Sequence, residues 1–344
     1  MLVLGGQDVE TVLTGLSVAR CHGLLNALSQ ALSDYSSDRK ASEPTIHQPL
    51  RQGVVTKLGN TSLFMPASNT VSTGIKIVTL SASRRGARGA INIFNPGGEL
   101  VGLLNAEEIT AFRTGLVSMI PFLNCGVQKS RIVVFGAGKQ AEWHVRLALL
   151  LAGDSIQYIT VVNRRGETLN ELEKRLQGVK DKHPQLTLSL IAKDGATDYE
   201  AELKHDLREC DAIMCCTPST EPLFPSAYLA PAPDEQPRKR FISLIGSYKP
   251  HMQEIDSETL LSGKRIYVDS AEACLEEAGE LIKAKVPESR LMELGAIASW
   301  PSIDEVEGNV VFKCVGMGIM DVAVASELLK IAGDMKIGKT IEDF

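Results

Sequence analysis

Two glycines and an alanine with the spacing G-x-G-x-x-A are the residues most clearly suited to chemistry, namely the binding of a dinucleotide. Gly136 allows a tight turn, Gly138 lets the backbone approach a pyrophosphate, and Ala141 takes the third small position. The start of the following helix adds free N–H groups and a positive dipole end, which complete an anion site. An ordinary strand-to-helix turn is the alternative, because Gly-x-Gly also occurs by chance.

The sequence around this turn, RIVVFGAGKQAEW (131–143), supplies both elements that the motif requires. Residues 132–135 are a continuous apolar run, which predicts a strand buried on both faces. From position 139 onward the sequence is typical of a long helix. We therefore interpret the turn as a dinucleotide site, with these cofactor-binding residues: Gly136, Ala137, Gly138, Gln140 and Ala141.

The end of the next predicted strand indicates which dinucleotide is bound. Residues 158–162 (YITVV) are followed by Asn163, Arg164 and Arg165. An acidic residue at this position would bind the ribose 2′-hydroxyl of NAD, whereas arginine accommodates the 2′-phosphate of NADP. We predict that these residues favour NADP(H) over NAD(H). The alternative is a solvated turn that carries two arginines.

Three cations in the first third of the chain, Arg51, Lys76 and Arg113, suit a substrate carboxylate, since guanidinium groups bind carboxylates with two hydrogen bonds. Lys76 interrupts the apolar strand GIKIVTL, and strand alternation points it away from its two isoleucine neighbours. A lysine on the solvent face is the more common outcome for such a pattern. Arg113 lies on a predicted helix, where an exposed arginine paired with Glu108 is the alternative. Composition and periodicity leave both interpretations open.

The elements around these residues fall into two groups. In the first, a strand, a turn and an amphipathic helix (1–36) precede a polar loop (36–46) and five consecutive strands, which indicate an antiparallel or mixed sheet. A helix over 106–120 then leads to the glycine turn. The five strands are predicted at 53–58, 61–65, 74–79, 90–94 and 100–104.

The second group alternates strands with helices, which predicts an α/β fold with a Rossmann doubly wound parallel sheet. The helices are predicted at 169–176 and 198–207, and the strands at 186–191, 212–216, 241–245 and 265–268. Ligand groups are expected at the carboxyl ends of such strands. Four candidates fall there: Gly136, Asn163, Thr217 and Gly246.

Composition excludes several classes of protein. A chain of 344 residues with 44% hydrophobic and 23% charged residues is long enough for two globular domains. A net charge of −6 argues against a general binder of nucleic acid or of anionic membranes. We find neither a signal peptide nor a membrane-spanning apolar run. Seven cysteines without a C-x-x-C pair favour a reducing, cytoplasmic setting with no structural disulfide and no metal site.

The chain resembles the ornithine cyclodeaminase/μ-crystallin family over nearly its whole length. The matching blocks, in order, are LVGLLNAEEITAFRTGLVSMI, IVVFGAGKQA, VVNRR, LIGSYKPHMQEID, YVDSAEACLEEAGEL and FKCVGMGIMDVAVA. The resemblance implies a Rossmann domain that binds NAD(P), residues 116–314, and a second α+β domain, residues 1–115 with 315–344. This second domain would bind substrate and form a homodimer. Family members reduce imines of α-keto acids, oxidise amino acids, or convert ornithine to proline.

The resemblance also implies roles for individual residues. Arg51, Lys76 and Arg113 match the residues that bind the substrate carboxylate, and Lys76 is also the implied proton donor or water-orienting group near the reacting nitrogen. Tyr248 and Glu277 would face the substrate. In addition to the glycine turn and the arginine pair, the implied cofactor contacts are Thr114, Thr217, Pro218, Gly246, Ser247 and Cys314.

One departure from the family pattern bears on the reaction. Ornithine cyclodeaminases carry an acid/base aspartate in a G-G-D-x-P segment, and Tyr248 stands in its place here. A tyrosine is a poor general base near pH 7, so NADPH-dependent reduction of an imine carboxylate is favoured over ornithine cyclisation. An amino-acid dehydrogenase, an NADPH-dependent ligand-binding protein and a tailoring reductase of secondary metabolism remain alternatives. The unmatched segment 81–89 (SASRRGARG) could widen the pocket mouth, although a mobile solvated loop is the alternative.

Overall fold

The computed structural model of the protein describes residues 1–39, 41–82, 86–195 and 197–344. The chain forms two compact units. The first unit contains residues 1–117 and 316–344, and the second unit contains residues 118–315.

The elements are numbered in chain order. The strands are β1 (Leu2–Leu4), β2 (Gln52–Val55), β3 (Thr61–Ser68), β4 (Thr73–Leu80), β5 (Ala87–Phe94), β6 (Leu100–Asn105), β7 (Arg131–Phe135), β8 (Tyr158–Asn163), β9 (Thr187–Ala192), β10 (Ala212–Cys215), β11 (Phe241–Leu244), β12 (Ile266–Val268), β13 (Leu291–Glu293), β14 (Val310–Lys313) and β15 (Lys339–Thr340). The helices are α1 (Gly6–Thr14), α2 (Val18–Asp38), α3 (Ala106–Asn124), α4 (Lys139–Ala152), α5 (Gly166–Lys180), α6 (Tyr199–Glu209), α7 (Ser257–Leu260), α8 (Ala271–Glu277), α9 (Gly279–Lys283) and α10 (Gly318–Met335).

The first unit is built on a seven-stranded mixed sheet with the order β15-β1-β6-β5-β4-β3-β2. Only the β1–β6 pair in this order is parallel, which confirms the predicted mixed sheet. Helix α10 packs against β3, β4 and β5, and against α2. Gly74 permits this close approach, because a β-carbon there would lie 2.7 Å from the Val322 side chain of α10. The last helix therefore covers one face of a sheet whose strands, apart from β15, come from the N-terminal part of the chain.

The N-terminal region differs from the predicted single helix, since it contains the two helices α1 and α2. Gly15 follows α1, and the Ser17 side chain caps α2 by accepting a hydrogen bond from the N–H of Arg20 at 3.3 Å. A glycine stop followed by a serine cap is a strong local signal for a break between two helices. Of the segment 81–89, residues 83–85 lie outside the described residues, and 87–89 belong to β5.

The second unit is built on an eight-stranded sheet with the order β13-β12-β14-β11-β10-β7-β8-β9. Each pair of neighbouring strands in it is parallel, which confirms the predicted doubly wound sheet. The chain runs outward from β7 to β9 and then returns to β10 on the other side of β7. The crevice at the β7–β10 switch point is where such sheets bind ligands.

Two strands of this sheet, β13 and β14, were not predicted from the sequence. They have only three and four residues, and β14 ends with the charged Lys313. The predicted helix over 106–120 in fact continues to Asn124, with Pro121 inside it. Among the described residues, no helix combines the length and apolarity that crossing a bilayer requires.

Candidate active site

A buried ionic cluster lies in the first unit, where β4, α3 and α10 each contribute one residue. The Nζ atom of Lys76 is 2.6 Å from Oδ2 of Asp321, and Nε of Arg113 donates a hydrogen bond to Oδ1 at 3.1 Å. The three side chains are exposed by only 1%, 5% and 1%. One carboxylate therefore bridges two cations away from bulk solvent.

The solvent-facing alternative for Lys76 is wrong, although the predicted strand alternation is correct. Lys76 does point away from its isoleucine neighbours, but it shares its face with the buried residues Gly74 and Val78. This is the face that α10 covers. The isoleucines occupy the half-buried face instead, so the charged residue rather than the apolar ones lies in the interior.

The exposed alternative for Arg113 is also wrong. Its guanidinium lies against Gly316, where a β-carbon would be 2.5 Å from Nη2. Gly316 has φ +87, a left-handed conformation that favours glycine. The N–H of Ile319 donates a hydrogen bond to the side-chain oxygen of Gln48 at 2.7 Å, which anchors the first turn of α10. The G-M-G segment (316–318) thus leaves room for the Arg113 guanidinium, and it leads directly into the helix that carries Asp321.

The charges around Lys76 shift its ionisation. Burial and the positive charge of Arg113 lower the pKa of Lys76 to about 8, although Asp321 opposes the shift. The half-buried Arg51, just before β2, also lowers this pKa. Two cations thus pair with one carboxylate and Arg51 adds a third positive charge that acts on Lys76, so the excess positive charge suits an anionic ligand. No role was predicted for Asp321 from the sequence. Its position shortly after the G-M-G segment (316–318), in the last block that matches the family, was the signal that could have identified it.

The glycine turn of the second unit has the geometry that its sequence predicts. Gly136 adopts φ +112, and a β-carbon there would lie 2.9 Å from the carbonyl oxygen of Cys216. Gly138 is exposed, precedes α4 as its N-cap, and has open space where a side chain would be. Ala141 is fully buried. A phosphate could approach the first N–H groups of α4 without meeting a side chain of Gly138, so this turn fits a dinucleotide.

An arginine that sequence reasoning missed supports this turn. Arg175 of α5 donates a hydrogen bond from Nη2 to the carbonyl oxygen of Ala137 at 3.2 Å. Its Nε donates to Glu142 of α4 at 2.7 Å. Arg175 therefore ties the middle residue of the turn to the helix that follows it.

The end of β8 carries the residues predicted to select the cofactor. The Asn163 amide donates to the carbonyl oxygen of Arg165 at 3.1 Å and to the Thr168 hydroxyl, which orders the turn into α5. Arg164 and Arg165 are exposed. Asp194 accepts a hydrogen bond from the N–H of Gly166 at 2.8 Å and so holds the start of α5.

Ser247 and Lys313 belong to a buried polar network beyond β11 and at the end of β14. The Ser247 hydroxyl donates to Glu280, and Nζ of Lys313 donates to the Ser247 carbonyl oxygen at 2.6 Å. Lys313 also lies 3.2 Å from Glu280. Burial lowers the pKa of Lys313, but the nearby carboxylates of Glu280 and Glu254 more than offset it, so the pKa is raised. The Ser247 side chain is fully buried in this network.

The other predicted site residues differ in their accessibility. Cys314 is buried, and its thiol donates to Asp269 at 3.1 Å. Thr114 is buried, and its hydroxyl donates to the carbonyl oxygen of Thr110 at 2.8 Å. Pro218 is exposed, while partly buried positions are occupied by Thr217, Gln140, Tyr248 and Glu277. Helix α8 ends with Glu277, and Gly279, two residues further along the chain, packs against the backbone of residues 249–252.

A doubly wound parallel sheet with an open glycine turn defines the second unit as a Rossmann-type fold. The chain belongs to the ornithine cyclodeaminase/mu-crystallin family, whose model matches residues 8–332. This confirms the family that the sequence blocks indicate.

Two relatives and one solved structure extend this assignment. The chain is 26% identical to a Δ1-pyrroline-2-carboxylate reductase of Bacillus cereus, over 91% of this chain and 92% of the relative. It is 27% identical to the ketimine reductase mu-crystallin of Macropus fuliginosus, over 95% of each chain. Its fold is similar to that of a Thermococcus litoralis Δ1-pyrroline-2-carboxylate reductase solved with NADH and L-proline, with a TM-score of 0.80 at 20% identity and 99% and 100% coverage.

Proposed function

We propose that this protein is an NADPH-dependent reductase that converts an imine carboxylate, cyclic or acyclic, into the corresponding amino acid. The observation that carries the proposal is the buried cluster of Lys76, Arg113 and Asp321, which combines excess positive charge with a lysine of lowered pKa. The names of the relatives support the same reaction, since they describe reductases of Δ1-pyrroline-2-carboxylate and of ketimines.

Each residue of the first unit takes one role in this proposal. Arg113 and Arg51 bind the substrate carboxylate through their guanidinium groups. When bound, NADPH would supply the hydride for the imine carbon. Lys76 donates a proton to the nitrogen as its electron pair develops, which leaves the lysine neutral, and a proton from solvent then restores the Lys76 ammonium. Asp321 holds the ammonium in place before the transfer. Positioning and fixed charge contribute most of the rate enhancement.

The second unit binds the nucleotide in this proposal. The pyrophosphate would lie on Gly136 and Gly138, where the open turn leaves room for it. The 2′-phosphate would contact Arg164, whose exposed position at the end of β8 is the one that distinguishes NADP from NAD. Residues 1–115 with 315–344 would form the substrate and dimerisation domain, and 116–314 the cofactor domain. Seven free thiols fit the reducing cytoplasm, where we place a homodimer.

The proposed function is tested by following NADPH oxidation with Δ1-pyrroline-2-carboxylate and Δ1-piperideine-2-carboxylate. We expect rapid turnover with NADPH, slower turnover with NADH, and none with L-ornithine. The preference for NADPH tests the role of Arg164 separately from the reaction. Tight NADPH binding without turnover of either imine would refute the reduction of these two cyclic imines, and it would favour a ligand-binding protein or a reductase with a specialised substrate. Turnover of L-ornithine would favour a cyclodeaminase.

The pKa of Lys76 predicts the alkaline limb of the pH profile. A proton donor must be protonated, and burial together with Arg113 lowers the pKa of Lys76 from 10.5 to about 8. The value of kcat/KM for imine reduction should therefore be highest below pH 8 and decrease about tenfold per pH unit well above it. Initial rates between pH 6 and 10, at low imine concentration, measure this limb. A flat profile up to pH 10 would exclude Lys76 as the donor.

A further inference from the structure

Glu254 is a buried carboxylate that joins the ends of two neighbouring strands in the second unit. It lies in the segment between β11 and α7 and is 0% exposed. Its Oε1 atom accepts a hydrogen bond from the N–H of Thr217 at 2.8 Å, and its Oε2 atom accepts one from the N–H of Gly246 at 2.7 Å. These two residues follow β10 and β11, at the carboxyl ends where such sheets bind ligands.

The Glu254 carboxylate accepts hydrogen bonds from the backbone just beyond the point where the hydrogen bonds between β10 and β11 end. The N–H of Ile245 still donates to the carbonyl oxygen of Cys215, at 3.2 Å. One step further along, the N–H groups of Thr217 and Gly246 both turn to Glu254. The absence of a side chain at Gly246 is required, since a β-carbon there would overlap the carbonyl oxygen of Thr217 and lie close to Glu254. The path of both backbones is therefore fixed by one side chain.

The same carboxylate also reaches the glycine turn through one intermediate segment. A β-carbon at Gly136 would lie 3.2 Å from the methyl group of Thr217 and 2.9 Å from the carbonyl oxygen of Cys216. The segment that Glu254 holds thus packs directly against the first glycine of the turn. A displacement of Thr217 would therefore change the packing around Gly136.

We infer that Glu254 is a positioning residue for the nicotinamide cofactor, because it fixes Thr217 and Gly246 at the crevice and, through Thr217, supports the glycine turn. The inference rests on the proposed function, in which the second unit binds NADPH. Glu254 itself touches neither cofactor nor substrate in this role. It acts through the backbone that it holds.

The buried network around Ser247 points to the same segment independently. The carbonyl oxygen of Ser247 accepts a hydrogen bond from Lys313, and its hydroxyl donates to Glu280. Gly246 and Ser247 are therefore held by buried charged groups from separate parts of the chain. Buried ionisable groups are costly unless they are paired and hydrogen-bonded, and here their hydrogen bonds hold the backbone of two consecutive residues.

The test is the variant Glu254→Gln. Glutamine keeps the size of the side chain, but its NH₂ group faces one of the two N–H donors and cannot accept from it. Because burial raises the pKa of Glu254 to about 8, NADPH binding is titrated by fluorescence at pH 9, where most of the carboxylate is ionised. We expect the Kd for NADPH to increase about tenfold or more, because the backbone at Thr217 and Gly246 is no longer held in place before the cofactor binds. The KM for the imine should stay unchanged.

The matched control is Glu258→Gln, which changes an exposed carboxylate that accepts one hydrogen bond, from Ser226. It should bind NADPH as the unchanged protein does. If Glu254→Gln binds NADPH with unaltered affinity, the inference is overturned. This holds even if the substitution lowers the melting temperature. If the wild-type protein binds NADPH but reduces no imine, the proposed reaction is wrong. The titration of NADPH still tests the positioning role of Glu254 in that case.

Hydrogen–deuterium exchange of the unchanged protein provides a second measurement that needs no variant. In the absence of NADPH, peptides that contain Thr217 and Gly246 should retain protected amides, since both N–H groups are bonded to a buried acceptor. The exposed 231–239 loop supplies the rapidly exchanging reference. Rapid exchange at both amides would overturn the inference even if Glu254→Gln failed to fold.

Discussion

Lys76→Met is expected to lower kcat/KM for imine reduction by about 10³-fold, within the range typical of a lost general acid. Methionine fills nearly the same volume in the buried position but has no proton to donate and no charge to attract a carboxylate. Arg113 continues to pair with Asp321 in this variant, so the remaining cluster is a neutral pair rather than an orphaned charge. The fold should therefore persist. Steady-state rates with Δ1-pyrroline-2-carboxylate and NADPH measure the loss.

Direct NADPH titration separates this effect from a loss of cofactor binding. The Kd for NADPH should not change, because Lys76 lies in the mixed sheet of the first unit and the glycine turn lies in the second. Lys57→Met changes an exposed lysine of the first unit and should keep full activity. A Lys76 variant that still reduced the imine at a comparable rate would show that the nitrogen takes its proton from water or from another group.

The parts of the fold that were predictable from the sequence rest on local signals. An apolar run, two glycines and a helix start are adjacent in the chain, so the strand–turn–helix unit at 131–152 could be recognised without knowledge of its neighbours. The strand pattern around Lys76 was equally clear. The sequence did not indicate which face of that strand is covered. The covering helix, α10, lies at the far end of the sequence, and nothing near Lys76 indicates its presence.

The same separation explains the residues that were missed. Asp321 and Arg113 are 208 positions apart, and only the packing of α10 on the sheet brings them into contact. Glu254 was overlooked because its partners are backbone N–H groups, which leave no pattern in side-chain types. Strands β13 and β14 were also missed, and their place in the sheet is fixed by pairing with β12 and β11.

Asp321→Asn is expected to produce the largest loss of stability among single changes in the site. The substitution leaves Lys76 and Arg113 as buried cations without a counter-charge, and breaking a buried pair in this way costs about 3–5 kcal/mol. Asp321 raises the pKa of Lys76, so its removal lowers this pKa below about 8. The loss of stability should be larger at pH 6 than at pH 9, because Lys76 is charged at pH 6 and largely neutral at pH 9. Urea unfolding at the two pH values measures this difference.

The pH profile of the Asp321→Asn enzyme tests the same coupling through catalysis. Because the pKa of Lys76 decreases in the variant, the alkaline limb of kcat/KM should move to lower pH than in the unchanged protein. Asp334→Asn is the matched control on the same helix, since its side chain is 73% exposed and lies 4.0 Å from Arg20. It should change neither the limb nor the urea midpoint. A stable Asp321→Asn enzyme with an unshifted limb would mean that Asp321 does not set the ionisation of Lys76, and the proton donor would then have to be sought elsewhere.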